Sequence, residues 1–373
     1  MIFSEGDPVP WFRCDASSEK DFNLSQAAGR IVVLFFFGSS KRADSAAALE
    51  FITRQCRNFF DDATMCFFGV GVDHQDEQSE KVKQMLPGIR YFWDFTGSIS
   101  SHYGALEFAK LSGQPPVLKP YTLILDRNLR VLAQFPLKNV AEHNQQVQHF
   151  LQQYQQSVFQ RELVDHAPVL VLPRVFSKDL CQRLIACYQQ HGGKPSGFMS
   201  EQEGYTVARF DTSFKRRKDV DLDAFSEYRP LALETNDAIA KRLVPEVKKF
   251  FQFTVTHIER HLVACYDAEE GGFFRAHRDN TTKGTAHRRF AVTLNLNAEE
   301  YEGGDLRFAE FGAKTYRAPT GGAVVFSCSM MHEAMPVTSG TRYAFLPFLY
   351  DEAAAEIRQQ NLRYLKENDD QQQ

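Results

Sequence analysis

The stretch FFRAHRDNTTKG, Phe273 to Gly284, places His277 and Asp279 two residues apart, just after the pair Gly271-Gly272. Side chains at i and i+2 point to the same side of an extended strand, so an imidazole and a carboxylate can converge on one point. Those two groups are ligands for a divalent transition metal. Spacing alone does not single the pair out. The chain has 11 histidines and 47 acidic residues, and it repeats the pattern in HQD (His74–Asp76) and HIE (His257–Glu259). His74 and Asp76 lie in the charge run DHQDEQSEK with no distant partner, which reads as a solvated loop. His257 and His261 sit on a strand-like stretch and read as surface or satisfied core residues.

His277 and Asp279 come with more. The later segment SMMHEAMPVTSGTRYAF adds His332 and Arg342. Two histidines and one carboxylate with open coordination positions form the facial triad that holds Fe(II) in non-haem oxygenases. No thiolate joins them to favour a structural zinc site. Three protein ligands leave three octahedral positions: two for a chelating 2-oxo acid and one for O2. Gly340 beside Ser339 reads as a turn that sets His332 and Arg342 on antiparallel partners, roughly 13 Å apart at strand rise. The guanidinium fork of Arg342 then suits the distal carboxylate of a five-carbon diacid. Arg288 and Arg289 open a strand nearby and are weaker candidates for touching substrate. FKRRKD, Phe214–Asp219, reads as a solvated turn, with a role in a lid, together with SGFMSEQEGYTVARF before it, as the alternative.

These residues need a framework. At 373 residues the chain has room for two or three domains. Hydrophobic content of 43%, 24% charged residues and 33 phenylalanines fit globular cores. A net charge of −4 gives no sign of a nucleic-acid or anionic-membrane binder. The N-terminus MIFSEGDPVPWF lacks signal-peptide features, and the longest apolar run, Ile31–Phe37, is far short of the about 20 residues of a membrane span. Seven cysteines without a CxxC pair indicate a reduced, cytoplasmic protein with buried thiols.

The first part of the chain alternates strand and helix signals. IVVLFFFG and MCFFGVGVD read as buried strands, KRADSAAALEFITRQCRNFF as an amphipathic helix and QSEKVKQML as a short one. PYTLILDRNLRVLAQF reads as a hairpin, NVAEHNQQVQHFLQQYQQ as a closing helix, and residues 156–165 as a link. Beyond an opening strand and a helix capped by Ser177, short strands with Gly-rich turns dominate, the pattern of a sandwich, jelly roll or barrel. AAAEIRQQNLRYLKEN reads as a surface helix, and the terminal DDQQQ as disordered.

Two resemblances follow. GDPVPWF, VVLFFFG running into a helix, and KPYTLILD resemble the thioredoxin fold, and within it the peroxiredoxins, with Pro120 where that fold carries its cis-proline. Peroxiredoxins need a thiolate in the first turn of that helix, where the helix end lowers its pKa. Here the segment is GSSKRADSAAALEF, with Ser45 in the nucleophile's place, so the domain is expected to be redox-silent. Cys56 and Cys66 read as packing residues. CYDAEEGGFFRAHRDN, RRFAVTLNLN, YEGGDLRF, GGAVVFS and HEAMPVTSGTRYAF, in that order, resemble a 2-oxoglutarate/Fe(II)-dependent dioxygenase of the prolyl 4-hydroxylase-like branch.

The resemblance implies a double-stranded β-helix (jelly roll) with flanking helices. It assigns Fe(II) to His277, Asp279 and His332 and the 2-oxoglutarate C5 carboxylate to Arg342. Tyr266 and Thr293 would line the cosubstrate pocket, and ascorbate would help keep the iron reduced. The expected organisation is multidomain: residues 1–157 thioredoxin/peroxiredoxin-like, 166–353 the dioxygenase, and 354–373 a surface helix and tail. The expected reaction is hydroxylation of an unactivated C–H bond, in a prolyl or other residue of a protein or peptide or in a small molecule, with release of succinate and CO2. A sensor or docking protein that holds iron and 2-oxoglutarate with little turnover is the rival. A homodimer through the N-terminal domain is a further expectation.

Overall fold

A run as apolar as Ile31–Phe37 has no face to offer water, and it becomes the middle of a five-stranded sheet. In the computed structural model, which describes residues 3–79, 81–108, 116–160 and 166–366, the order is Ile89–Trp93, Met65–Gly71, Ile31–Gly38, Tyr121–Leu125, Val131–Pro136. The first three strands run parallel and the last two antiparallel to their neighbours. Every residue of Ile31–Gly38 and Met65–Gly71 is buried. Val33, Phe35 and Phe37 pack with Leu49, Ile52 and Leu151 on one side, while Phe36 stacks on Tyr121 on the other. Each such side chain contributes about 1.5–3 kcal/mol on burial, which is why this sheet needs no reactive centre to hold it together.

Several local expectations change. The segment 41–60 is α-helical only over Ala43–Glu50 and continues as a π-helical turn, Phe51–Gln55, and a 3₁₀ turn, Arg57–Phe59. The described residues of QSEKVKQML form no α-helix: Gln78 ends a 3₁₀ turn, His74–Gln78, Val82 is drawn into the core and Met85 bridges to Ile89, so tertiary burial overrides helical propensity. The strand Ile89–Trp93 escaped the sequence reading. The peptide bond before Pro120 is not cis; among the described residues the cis bond is Leu86–Pro87. The closing helix, Val140–Gln160, runs on into the expected link, because its periodicity does not stop where its polar composition rises. Residues 161–165 and the DDQQQ tail lie outside the described residues. Ser45 is fully buried in the first turn of Ala43–Glu50, and its hydroxyl donates to the Phe37 carbonyl at 2.7 Å. Cys56 and Cys66 are buried, and that burial pushes their thiols up to about 11 and about 12.

The chain divides into two compact units, Met1–Asp165 with Ala309–Gly312, and His166–Phe308 with Ala313–Gln373. The second unit is built from two antiparallel sheets. The larger runs Leu170–Leu172, Ala323–Ser327, Phe290–Asn295, Val337–Phe345, Leu262–Asp267, Lys218–Asp221, Lys194–Pro195, with Phe348–Tyr350, His257–Glu259 and Tyr301–Gly303 paired onto it. The smaller runs Lys215–Arg216, Phe273–His277, His332–Ala334, Leu306–Arg307, Thr315–Tyr316. This is a jelly roll with flanking helices. One face of the large sheet (Val263, Cys265, Val292, Leu294, Phe345) packs on helices Lys178–His191, Arg229–Arg242 and Val244–Phe251. Ser177 caps the first of these, accepting from the Leu180 amide at 3.1 Å. The alternate residues face the small sheet. The C-terminal helix Glu352–Asn361 is tied in by the fully buried Ala354. Among the described residues no helix is long and apolar enough to cross a membrane.

The step from the large sheet to the small one passes through Gly271-Gly272. Gly271 has φ +65°, and a Cβ at Gly272 would stand 2.7 Å from the Asp267 amide nitrogen. The Gly272 amide donates to the Asp267 carbonyl at 2.7 Å, and its own carbonyl accepts from Val337. Gly272→Ala should therefore cost more than about 1 kcal/mol of stability, read as a lower urea midpoint with an unchanged slope; an unshifted midpoint would contradict the packing described.

Candidate metal centre

His277 ends the strand Phe273–His277, and its Cα partner across the ladder is His332, the first residue of His332–Ala334. Asp279 follows in the turn beyond the strand, where its amide donates to the Cys328 carbonyl at 3.0 Å. The three ligand atoms lie within 4.8 Å of one another. His277 Nε2 stands 3.6 Å from one Asp279 oxygen and His332 Nε2 stands 3.3 Å from the other. His277 Nδ1 donates to the Arg275 carbonyl at 2.7 Å and His332 Nδ1 to the Met330 carbonyl at 3.1 Å. Those bonds fix the tautomer with the proton on Nδ1, so both Nε2 lone pairs face Asp279. Phe274 stacks on His277 and Phe326 packs against His332, holding the rings in place.

The electrostatics favour the metal-ready protonation states. Burial, then the neighbouring His277, pushes His332 down to about 4, so it is neutral near pH 7. Burial works to raise the Asp279 carboxyl, but the facing His332 and His277 hold it well below the usual carboxylate range. Two imidazole nitrogens and one carboxylate converging in this way suit Fe(II).

Arg342 does not sit where the turn at Gly340 was expected to put it. Val337–Phe345 runs unbroken through Gly340, which has φ +74° and lies against the Glu300 carbonyl. His332 and Arg342 are therefore in different sheets, and Arg342 pairs with Tyr266 instead. Its guanidinium carbon is 4.9 Å from the Tyr266 ring centre. Arg342 is 2% exposed, and its Nε and Nη1 are buried without a hydrogen-bond partner. An unpaired buried guanidinium is costly, and a carboxylate on its Nη edge reduces that cost. The residues present thus fit a diacid chelating a metal at the triad.

The pairing places the other candidates. Arg342 and Ala344 share a face, Ala344 opposes Asn295, and so Thr293 and Asn295 lie on the same face as Arg342 and Tyr266. Thr293 is buried there. Asn295 was missed: its Nδ2 donates to the Ala318 carbonyl at 2.6 Å while its Oδ1 is buried and unpaired. Polar residues at i and i+2 within VTLNLN were the available signal. FKRRKD is not a solvated turn. Lys215 and Arg217 are buried while Arg216 is exposed, the period of two of a strand. Arg217 Nη1 donates to the Tyr266 hydroxyl at 3.3 Å, and Arg217 pairs with Asp219 at 2.6 Å. Arg288 is buried and chelates Glu259, whereas Arg289 donates to the Ala286 carbonyl. The bland readings hold for His261, bound between Asp223 and Asn236.

Two family models match the chain. Residues 261–350 match the family model of the 2OG-Fe(II) oxygenase superfamily, and residues 6–150 that of the AhpC/TSA family. A PKHD-type hydroxylase of Pseudomonas fluorescens is 30% identical over 185 residues, covering 47% of this chain and 75% of the relative. A prolyl hydroxylase from Trichoplax adhaerens, solved with a peptide fragment, aligns over 51% of this chain and 86% of its own at 15% identity and TM-score 0.42. The bacterioferritin comigratory protein of Xanthomonas campestris aligns over 38% of this chain and 91% of its own at 17% identity and TM-score 0.32.

Asp279→Ala should abolish stoichiometric Fe(II) binding in a calorimetric titration; retained full occupancy would remove Asp279 from the ligand set. Arg342→Ala should leave Fe(II) binding nearly intact but raise the 2-oxoglutarate requirement by about 30- to 1,000-fold, the worth of a buried bidentate contact of about 2–4 kcal/mol. An unchanged 2-oxoglutarate titration would reject that role.

Proposed function

Because this chain belongs, through its C-terminal unit, to the 2OG-Fe(II) oxygenase superfamily, we propose that it is a 2-oxoglutarate-dependent hydroxylase in which His277, Asp279 and His332 hold Fe(II) and Arg342 binds the C5 carboxylate of 2-oxoglutarate. The observation that carries the residue assignment is the buried guanidinium of Arg342, with Nε and Nη1 unpaired, on the large-sheet face turned toward the small sheet that carries the two histidines. When bound, Fe(II) supplies O2 chemistry that splits 2-oxoglutarate to succinate and CO2 and puts the second oxygen atom into an unactivated C–H bond. The chain's own contribution is positional. The Arg275 and Met330 carbonyls aim the two imidazoles, Arg342 fixes the far end of the cosubstrate, and Tyr266, held by Arg217, walls the pocket beside it.

The substrate is a prolyl or other residue of a protein or peptide, or a small molecule with an equivalent C–H bond, and ascorbate sustains turnover by keeping the iron reduced. The test is mass spectrometry of candidate proteins after treatment with the wild-type chain or with Asp279→Ala, alongside succinate release. A +16 Da product formed by the wild type alone, faster with ascorbate, supports the reading; succinate that never rises above the Asp279→Ala background would end it.

In this reading the N-terminal domain is a redox-silent scaffold for a substrate protein or a second copy of the chain, in the cytoplasm. Ser45 stands where a peroxiredoxin-like domain needs a thiolate, and Cys56 and Cys66 are buried with raised pKa values. Peroxide consumption with a thiol donor should match that of the Cys56→Ser, Cys66→Ser double variant. Rapid turnover that the double variant loses would make the domain a peroxidase instead.

A further inference from the structure

Beyond Arg342 and the triad, the space between the two sheets holds more positive charge than its own carboxylates neutralise. Phe348 opposes both Ala291 and Glu259 in the pairing, which puts Phe348 and Glu259 on the same inward face as Thr293 and Asn295. Two guanidinium groups lie over the Phe348 ring, Arg288 at 4.0 Å and Arg260 at 4.3 Å. Only one has a counter-ion. Glu259 takes a fork from Arg288, at 2.7 and 3.2 Å, and a bond from His287 Nε2 at 2.7 Å, which uses both of its oxygens. Arg217, on the adjoining strand, is paired with Asp219.

Arg260 is left over. Its Nε donates to the Leu346 carbonyl at 3.0 Å, and neither Nη group has a hydrogen-bond partner among the described residues. Burial and the charges of Arg288 and Arg217 push Arg260 down to about 10, the mark of a cation facing cations. It is only half-buried, so a ligand can reach it. Its backbone has φ +60°, a conformation that costs a non-glycine residue energy and persists where the surroundings impose it. Lys215 lies on the small-sheet side, where its amino group donates to Ser196 Oγ and the Gly197 carbonyl and lies over the Phe274 ring that stacks on His277; burial, then Arg217, holds it well below the usual lysine range.

Resting on the hydroxylase reading, we propose that the substrate carries a carboxylate that docks on the free Nη pair of Arg260, beside Phe348, while the carbon to be oxidised reaches the triad. A planar fork with two free donors on an aromatic ring matches a carboxylate in shape and charge. The Asp279 amide donates to the Cys328 carbonyl at 3.0 Å and the Cys328 amide to the Arg289 carbonyl at 2.9 Å, which places Arg288 and the Phe348 end of the inward face near the metal ligands. The carboxylate is that of a free acid, such as an amino acid, or that of a peptide C-terminus or acidic side chain.

The experiment uses the full chain loaded with Mn(II) and 2-oxoglutarate without O2, so that nothing turns over. Thermal unfolding is followed with matched pairs of free acid and primary amide, with amino acids in one arm and tripeptides in the other. At least one acid should bind about tenfold or more tighter than its amide, and the arm in which it does so identifies the source of the carboxylate. Arg260→Gln should erase that difference while the Mn(II) and 2-oxoglutarate titrations stay unchanged, and Arg260→Lys, which keeps a cation, should retain part of it. The proposal is overturned if no acid outranks its amide, or if Arg260→Gln keeps the preference. Failure of the wild-type chain to bind Mn(II) or 2-oxoglutarate would overturn the hydroxylase reading itself, and this proposal with it.

Discussion

The cost of holding charge between two β-sheets governs the C-terminal unit. A guanidinium or carboxylate taken out of water must find a partner or impose a penalty of several kcal/mol. Two of the buried groups between the sheets are neutralised by the chain itself, Arg217 by Asp219 and Arg288 by Glu259, while Asp279 faces His277 and His332. Arg342 is not: its Nε and Nη1 are buried without a hydrogen-bond partner, beside the Tyr266 ring. In the proposed reading the small sheet and the turn after it supply the metal donors, the large sheet supplies the cosubstrate anchor, and the Gly271-Gly272 step lets a single chain deliver both.

The convergence of His277, Asp279 and His332 was legible because such a cluster leaves a local trace: two residues of HRD, one later histidine, and glycine-rich strands in a fixed order. The relation of Arg342 to His332 was not. A glycine at positive φ reads as a turn, yet here Gly340 lies inside a long strand, accommodated because the Glu300 carbonyl occupies the space a Cβ would need. Sequence spacing measured along a supposed hairpin therefore misjudged which sheet each residue belongs to. FKRRKD failed for a related reason. A dense run of charge looks solvated until pairing shows that alternate residues point inward, where Lys215 and Arg217 are sheltered by Phe274, Tyr266 and Asp219. Asn295 offered only the i and i+2 polar pattern of VTLNLN, and the register places it on the face of Arg342.

The N-terminal unit shows the opposite balance. Its sheet was readable from apolar runs alone, and what the reading lost were the elements set by tertiary burial, such as the Ile89–Trp93 strand and the non-helical segment before it. The hydroxyl of Ser45 is spent on the Phe37 carbonyl, so the place that would need a poised nucleophile is closed into the core.

The two carbonyls that anchor the triad histidines, from Arg275 and Met330, each come from two residues upstream of the ring they hold. Such anchors are set as soon as the strands pair, before any ion arrives. A rigid nitrogen–oxygen donor set of this kind will accept several first-row divalent ions, with Co(II), Ni(II) and Cu(II) intrinsically tighter than Fe(II). The identity of the ion is then decided outside the protein, by which metal the cell keeps available when the chain folds, and mis-metallation becomes the natural way for this centre to be silenced.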